Sequence, residues 1–175
     1  IKKILKINIK KQLIIVDDGS SDGTELILKK YKSKIDNLII HKKNLGKGAA
    51  IKSGQKYVRG KYIGIQDADL EYDPRDLKKI VNEMSKKNIK VMYGSRVLKK
   101  NKFKNKKNFT HIVRIWGNIF LTKASNFLNQ QKLTDAHTCY KVFELKLFKK
   151  IKLKEKGFSF CPEITTKVSM MNLDI

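Results

Sequence analysis

Short apolar runs that alternate with helical segments constrain the fold of this 175-residue chain more than any other feature. Continuous runs of this kind are typical of strands buried on both faces of a sheet. Four of them follow one another along the chain, at residues 13–16, 38–40, 62–65 and 91–93. Because helical patterns separate these strands, the sequence predicts βαβ units and an α/β fold with a mostly parallel sheet covered on both sides.

The second part of the chain predicts further elements. A long, strongly apolar helix spans residues 112–128 and carries the only tryptophan, Trp116, which we expect with Phe120 in the core or facing lipid. A strand at 139–143, a helix at 145–151, a strand at 158–160 and a last helix from about Pro162 follow. The length and the apolar content of 41% fit a single domain over residues 1–175. No run approaches the roughly 18 apolar residues of a membrane-spanning helix.

Local patterns predict how several individual side chains are used. Asp22 and Asp73 precede predicted helices and are typical N-cap residues. On the first of these helices, Leu26 and Ile27 are expected to face inward. The two cysteines have neither CxxC nor Cys/His ligand spacing, so we expect ordinary free thiols.

The charge is strongly basic and consists almost entirely of lysine. Lys and Arg number 40 against 16 Asp and Glu, which gives a formal net charge of +24. Sequence-specific reading of bases favours arginine, of which this chain has only four: Arg59, Arg75, Arg96 and Arg114. We therefore expect an anionic membrane surface as a partner rather than a specific nucleic acid. A genome-wide composition bias is an alternative explanation for part of the excess.

Acidic side chains follow two of the predicted strands. Asp17 and Asp18 end the first strand, and Asp67 and Asp69 follow the third. Ligands of open parallel sheets bind outside the carboxyl ends of the strands, and residues two apart on an extended segment point to the same side. Asp67 and Asp69 can therefore converge on one cation. Carboxylate oxygens suit Mg²⁺ or Mn²⁺, and Glu71 continues the spacing as a third, weaker ligand.

A lysine between two glycines, Lys47, stands where a helix is predicted to begin. A cation at a helix N-terminus suits a diphosphate or a closing nucleotide loop. The segment is not the GxxxxGK[ST] loop, because the first glycine and the Ser/Thr are absent, and residues 19–23 do not match the dinucleotide pattern GxGxxG. A dehydrogenase is therefore disfavoured.

Six blocks in order, covering nearly the whole chain, carry a resemblance to a known family. They are 15–24 (IVDDGSSDGT), 44–50 (NLGKGAA), 66–74 (QDADLEYDP), 94–96 (GSR), 133–135 (LTD) with 139–143 (CYKVF), and 160–165 (FCPEIT). Together they resemble family 2 glycosyltransferases of the dolichol-phosphate mannose/glucose synthase type.

The resemblance implies a GT-A fold, a Rossmann-like three-layer α/β/α arrangement with a mostly parallel sheet. It implies a nucleotide-diphosphate sugar donor of the GDP-mannose or UDP-glucose type, Mg²⁺ or Mn²⁺, and a polyprenyl phosphate acceptor. The expected reaction is a single displacement that inverts the anomeric carbon, at the cytoplasmic face of a membrane to which the protein binds peripherally. The acceptor phosphate is already an anion, so positioning and charge stabilisation matter more than a strong general base.

The resemblance also assigns residues by position. On the donor side, Val16 and Asp18 would contact the base and ribose, and Lys47 would lie beside the nucleotide. The donor set is completed by the residues expected at the diphosphate and metal: Asp67, Ala68 and Asp69.

On the acceptor side, the resemblance places Arg96 against the acceptor phosphate. Asp135 either orients the acceptor or caps the following turn. Asp69, Arg96 and Asp135 are the expected catalytic residues.

The resemblance further implies that the chain is a fragment, because family members begin with a strand and a Pro-x-Tyr-Asn-Glu loop and continue past residue 175. Three other functions stay open. They are a glycosyltransferase for a polysaccharide or other cell-envelope acceptor, a sugar-phosphate nucleotidyltransferase, and a basic module that binds nucleic acid or anionic lipid. Release of nucleoside diphosphate rather than pyrophosphate separates transfer from nucleotidyl transfer, and steeply salt-dependent duplex binding would favour the module.

Overall fold

The computed structural model describes residues 1–69, 72–98 and 109–175, with only the backbone described for residues 109–112 and 114. Helices and strands alternate along the chain, as the apolar runs predict. The strands are β1 (Ile14–Asp17), β2 (Asn37–Ile40), β3 (Tyr62–Ile65), β4 (Val91–Tyr93) and β5 (Lys141–Glu144). The helices are α1 (Lys2–Leu5), α2 (Thr24–Lys30), α3 (Lys47–Gln55), α4 (Arg75–Lys87), α5 (Phe109–Asn129), α6 (Leu145–Phe148) and α7 (Phe160–Ser169).

The five strands form two hydrogen-bonded sheets. In one, β1 and β2 run parallel, with Ile14 opposite Asn37. In the other, β5 lies between β3 and β4 and is antiparallel to both, so Val142 stands opposite Gly64 on one side and Met92 on the other. The parallel pair agrees with the prediction from alternation. The direction of β5 was not indicated, because the spacing of apolar residues carries no information on strand direction.

The main core lies where β5, α6 and α7 meet. Phe143 and Phe148 are fully buried, and their ring centroids are 5.2 Å apart. α7 adds Phe160, Ile164 and Val168, which lie four residues apart and therefore share one helix face. This core fixes β5 between its two neighbours and, with it, the segment that leads into β5.

The strand predicted at residues 158–160 is wrong. Residues 158–159 form a turn, and Phe160 already begins α7. Pro162 lies in the first turn of this helix, where its missing N–H is no loss because those N–H groups have no intrahelical partner.

The inward direction predicted for Leu26 and Ile27 is also wrong. Both side chains are more than half exposed, whereas Leu28 is buried. α2 has only seven residues and contacts the rest of the chain along one narrow face, and that face is centred on Leu28. An apolar pair on so short a helix does not determine which side is covered.

Asp22 and Asp73, the predicted N-caps, each stand one residue before the observed N-cap position. Gly23, with a φ of 83°, and Pro74 occupy the cap positions of α2 and α4. The two carboxylates still accept hydrogen bonds from the first helical N–H groups, Asp22 from Thr24 at 3.1 Å and Asp73 from the first residue of α4 at 3.0 Å. Both therefore satisfy a backbone donor at a helix start.

A cavity of about 820 Å³ separates the two sheets. β1 and β3 both line it along their length, and residues within 1–13, α3 and α4 contribute most of the rest of its wall. Within the described ranges, β1 is hydrogen-bonded as a strand only to β2, and β3 only to β5. At the carboxyl ends of the strands the lining includes Val16, Asp67 and Ala68.

Candidate active site

Four of the predicted donor residues line this one cavity: Val16, Lys47, Asp67 and Ala68. They come from three elements, because β1 ends beside Val16, α3 begins at Lys47, and Asp67 and Ala68 follow β3. The carboxyl ends of β1 and β3 thus meet the N-terminus of α3, as expected for a ligand site in an α/β fold. Asp18 and Asp69 are not part of the lining.

Lys47, Asp67 and Cys139 form a three-membered contact at this point, the Lys47–Asp67–Cys139 cluster. Lys47 Nζ donates to Asp67 Oδ2 at 2.7 Å and to Cys139 Sγ at 3.2 Å. The thiol of Cys139 donates to the same Asp67 Oδ2 at 2.5 Å. The Lys47 side chain is 14% exposed and that of Asp67 27%, so solvent screens their ion pair only in part.

The environment of the cluster fixes its protonation. Burial alone would lower the pKa of Lys47, but the hydrogen bond and the charge of Asp67 outweigh it and raise that pKa. Burial and the adjacent carboxylate raise the pKa of Cys139 to about 11. At neutral pH the cluster therefore contains an ammonium ion and a neutral thiol.

Asp18 holds the loop that carries Lys47. Its carboxylate accepts the backbone N–H of Leu45 at 3.0 Å and of Gly46 at 2.7 Å, and it lies 2.6 Å from His41 Nδ1. Burial would raise the pKa of Asp18, but these hydrogen bonds together lower it. In this structure Asp18 therefore positions the start of α3, and its contact with a nucleotide stays a prediction.

Gly46 must be a glycine for this loop to adopt its path. Its φ is 94°, in the region that side chains disfavour, and an added Cβ would lie 2.6 Å from the carbonyl oxygen of Lys156. Ala49 donates its N–H to that same oxygen at 3.0 Å. The start of α3 is thus fixed from two sides, by Asp18 and by the segment before α7.

Asp17 shapes the turn after β1. It is buried, and its Oδ1 accepts both the backbone N–H of Ser20 at 3.3 Å and the Ser20 hydroxyl at 2.5 Å. Its Oδ2 is buried without a hydrogen-bond partner in the part of the chain that the structure describes. The sequence indicated Asp17 only as one of the two carboxylates at the end of β1.

Arg96 and Asp135 form a second charged contact. Arg96 Nε donates to Asp135 Oδ2 at 2.7 Å, Nη2 donates to Oδ1 at 3.0 Å, and Asn118 of α5 adds a hydrogen bond at 3.2 Å. The Asp135 side chain is fully buried, whereas that of Arg96 is 30% exposed. Burial would raise the pKa of Asp135, but the hydrogen bond and charge of Arg96 lower it. Asp135 therefore orients the guanidinium, and the exposed part of Arg96 can face a ligand.

Buried polar contacts brace the segment between Asp135 and β5. Lys141 is fully buried, donates to the carbonyl oxygens of Ala136 at 2.9 Å and Thr138 at 2.8 Å, and lies 4.1 Å from the ring centroid of Tyr93. Burial lowers the pKa of Lys141 to about 8. The hydroxyl of Tyr72 accepts the backbone N–H of Cys139 at 3.1 Å, which sets the position of the thiol beside Asp67.

The predicted metal ligands are placed only in part. Asp67 is half-buried, Asp69 is exposed, and Glu71 lies outside the described residues. No group of three or more His, Cys, Asp or Glu side chains within residues 1–69, 72–98 and 109–175 could enclose a metal ion. Two carboxylates from one segment nevertheless fit Mg²⁺, which usually takes one or two carboxylates and completes its shell with phosphate oxygens and water.

α5 carries its polar side chains inward and its apolar ones outward. Trp116, Phe120 and Phe127 are 68%, 71% and 86% exposed. On the opposite side, Thr122 accepts the backbone N–H of Ala136, and other polar side chains of α5 contact the same loop. The prediction that Trp116 and Phe120 lie in the core is therefore wrong, and the alternative, that they face lipid, stays a prediction.

Sequence reasoning missed Cys139 and His41 as members of the site. Cys139 was expected to be an ordinary thiol, and 72 residues separate it from Asp67 in sequence. His41 links Asp18 to Ser53 of α3 through its two ring nitrogens. Neither contact has a signal in local spacing, because both depend on strands that are far apart in the chain.

The fold and the site place the chain among α/β proteins whose ligands bind at the carboxyl ends of strands. Residues 1–152 match the family model of Glycosyl transferase family 2. The chain belongs to glycosyltransferase family 2. Membership implies the GT-A fold, with which the mixed α/β arrangement and the parallel β1–β2 pair agree.

Three similar curated proteins have a dodecaprenyl phosphate or a dolichyl phosphate in their names. A Rhizobium johnstonii protein named dodecaprenyl-phosphate galacturonate synthase is 28% identical, over 86% of this chain and 43% of that protein. The Dictyostelium discoideum dolichyl-phosphate beta-glucosyltransferase is 35% identical, over 54% of this chain and 31% of its own. The Methanococcus voltae UDP-N-acetylglucosamine--dolichyl-phosphate N-acetylglucosaminyltransferase is 29% identical, over 92% and 71%. The chain spans about half the length of the first relatives it matches.

Proposed function

We propose that this protein transfers a hexose from a nucleotide-diphosphate sugar to a polyprenyl phosphate. The observation that carries the proposal is the contact of Lys47 with Asp67, which brings the N-terminus of α3 to the carboxyl end of β3. Family membership and the names of the relatives support the reaction class.

On the donor side, the proposal gives each residue a physical task. Val16, next to the last residue of β1, would contact the nucleotide, and the Lys47 ammonium would neutralise the diphosphate. Asp67 and Asp69 would hold Mg²⁺ or Mn²⁺, which when bound neutralises charge on the leaving diphosphate. Asp18 keeps Lys47 in place through the loop before α3.

On the acceptor side, Arg96, whose side chain is 30% exposed, would bind the phosphate. Asp135 fixes this guanidinium from behind. An acceptor phosphate oxygen forms the new bond to the anomeric carbon while the bond to the diphosphate breaks, so one displacement inverts the centre and releases a nucleoside diphosphate. No proton has to be removed from the nucleophile, and in-line positioning supplies the acceleration.

The exposed face of α5 supports a peripheral position at a membrane. Asn118 links the opposite side of this helix to the Arg96–Asp135 pair, so a lipid surface against α5 would lie about one helix diameter, roughly 10 Å, from that pair. The net charge of +24 favours an anionic surface, and we assign the cytoplasmic face. No helix in the described ranges is long and apolar enough to span a bilayer.

The test is a donor screen on the full-length protein with Mg²⁺ or Mn²⁺, polyprenyl phosphate, and a panel of UDP- and GDP-hexoses. We expect one donor to yield a polyprenyl phosphohexose and free nucleoside diphosphate. Lys47→Met and Asp69→Asn should lower the rate at least tenfold, whereas Lys56→Met, an exposed lysine at the end of α3, should not. Pyrophosphate release, or transfer only to a polysaccharide acceptor, would contradict the proposal.

A further inference from the structure

The proposed function requires Lys47 to bind the donor diphosphate, but Lys47 already binds a predicted metal ligand. Its ammonium is already hydrogen-bonded to Asp67 Oδ2, at 2.7 Å. The same carboxylate would have to bind the divalent cation, and the same ammonium would have to bind the donor diphosphate. A dication and an ammonium on one carboxylate repel each other.

We propose that Lys47 is an internal counter-ion of Asp67 that moves to the diphosphate when the donor binds and thereby opens Asp67 to the metal. This inference rests on the proposed function and extends it to the order of binding. With its ammonium on Asp67 Oδ2, Lys47 hinders the approach of a metal to this carboxylate. With a nucleoside diphosphate bound, the ammonium has a stronger anionic partner, and Asp67 becomes a ligand.

The structure allows this exchange because the backbone is held and only the side chain has to move. Asp18 fixes the N–H groups of Leu45 and Gly46, and the N–H of Ala49 is bound to the carbonyl of Lys156. The flexible four-carbon stem of lysine can then swing without a change in α3. Neither charge is left unpaired at either end of the movement, so the cost of an isolated buried charge is avoided.

The exchange predicts that metal and nucleotide bind cooperatively. A dication arriving alone must displace Lys47, whereas one arriving with the diphosphate does not. By linkage, each ligand therefore raises the affinity for the other by the same factor.

The experiment measures Mn²⁺ binding, and UDP and GDP binding with and without Mn²⁺, by titration calorimetry and by the electron paramagnetic resonance signal of free Mn²⁺. The variants are Lys47→Met, the neutral polar Lys47→Gln, and Lys56→Met as the matched control. We expect both Lys47 variants to bind Mn²⁺ alone about fivefold more tightly and the nucleoside diphosphate about tenfold more weakly. Lys56→Met should match the wild type in both.

In the Lys47 variants, Mn²⁺ should bind more tightly while the nucleoside diphosphate binds more weakly. A general loss of structure would weaken the binding of both ligands. Unchanged or weaker Mn²⁺ binding in both Lys47 variants would overturn the proposal. The proposal would also be overturned if Cys139→Ala raised the affinity for Mn²⁺ as much as Lys47→Met does. The thiol, and not the ammonium, would then be the group that hinders metal binding. If the protein binds neither UDP nor GDP, the proposed function fails. The Mn²⁺ affinities of the wild type and the Lys47 variants still decide whether Lys47 hinders metal binding at Asp67.

Discussion

At the scale of single residues, the Arg96–Asp135 pair has the largest expected effect on stability. Replacing Arg96 by methionine leaves a fully buried carboxylate with Asn118 as its remaining side-chain partner. Breaking a buried pair in this way costs about 3 kcal/mol of the free energy of unfolding. Urea denaturation of Arg96→Met should show this loss.

Arg75→Met is the matched control for that measurement. Arg75 also pairs with an aspartate, Asp73, but its side chain is 80% exposed. Pairs of this kind contribute little to stability, so this variant should unfold near the wild-type midpoint. Equal losses in the two arginine variants would contradict the assignment of Asp135 as a buried anchor.

Lys141 makes stability depend on pH in a defined direction. Its pKa is about 8 in the folded protein because burial disfavours the charged form, and it is about 10.4 in an unfolded chain. Between these values the unfolded state binds more protons, so the free energy of unfolding rises with pH. From pH 7 to pH 9.5 the contribution is about 2 kcal/mol.

The measurement compares the wild type with Lys141→Met by urea denaturation at both pH values, because other lysines and tyrosines titrate in the same range. The wild type should gain about 2 kcal/mol more than the variant. A difference between the two proteins that is independent of pH would show that Lys141 keeps an ordinary pKa in the fold.

At the scale of elements, the start of α3 depends on its glycines. A Cβ on Gly48 would collide with the carbonyl oxygen of Glu155, a backbone atom that cannot swing aside. We expect Gly48→Ala to lower the free energy of unfolding by about 1–3 kcal/mol and to displace Lys47. Gly117→Ala on α5 is the control, since its Cβ meets nothing within 4 Å and alanine favours a helix by about 1 kcal/mol. Stabilisation by both substitutions in thermal unfolding would refute the close packing at α3.

Tryptophan fluorescence can test whether the exposed face of α5 binds lipid. Trp116 is the only tryptophan of the chain and is 68% exposed, so its emission should shift to the blue when the face enters lipid. Vesicles with about one-third anionic phospholipid should produce the shift, and salt should weaken it. Phe120→Ser and Phe127→Ser together should reduce vesicle binding severalfold. If the protein sediments with the vesicles but the emission of Trp116 does not change, this face is not the one that binds lipid.

At the scale of the whole molecule, local periodicity was sufficient for most of the elements. β1 to β4 and α5 were predicted close to their observed bounds, whereas the strand at residues 158–160 and the inward direction of Leu26 and Ile27 were predicted wrongly. The other features that the sequence did not indicate depend on distant contacts. The antiparallel direction of β5, the thiol of Cys139 beside Asp67, and the outward apolar face of α5 are decided by which segments meet, and no window of adjacent residues contains that information.

The free edge of β4 has a consequence for how the protein behaves in solution. β4 lies at the end of its sheet and pairs only with β5 in the described part of the chain. Free edges of this kind can pair with another polypeptide, which is the usual first step of aggregation. The excess of lysine opposes that step, because copies carrying +24 repel one another. Solutions of the protein should therefore stay clear at low ionic strength. Added polyanions should neutralise the repulsion and make the solutions turbid.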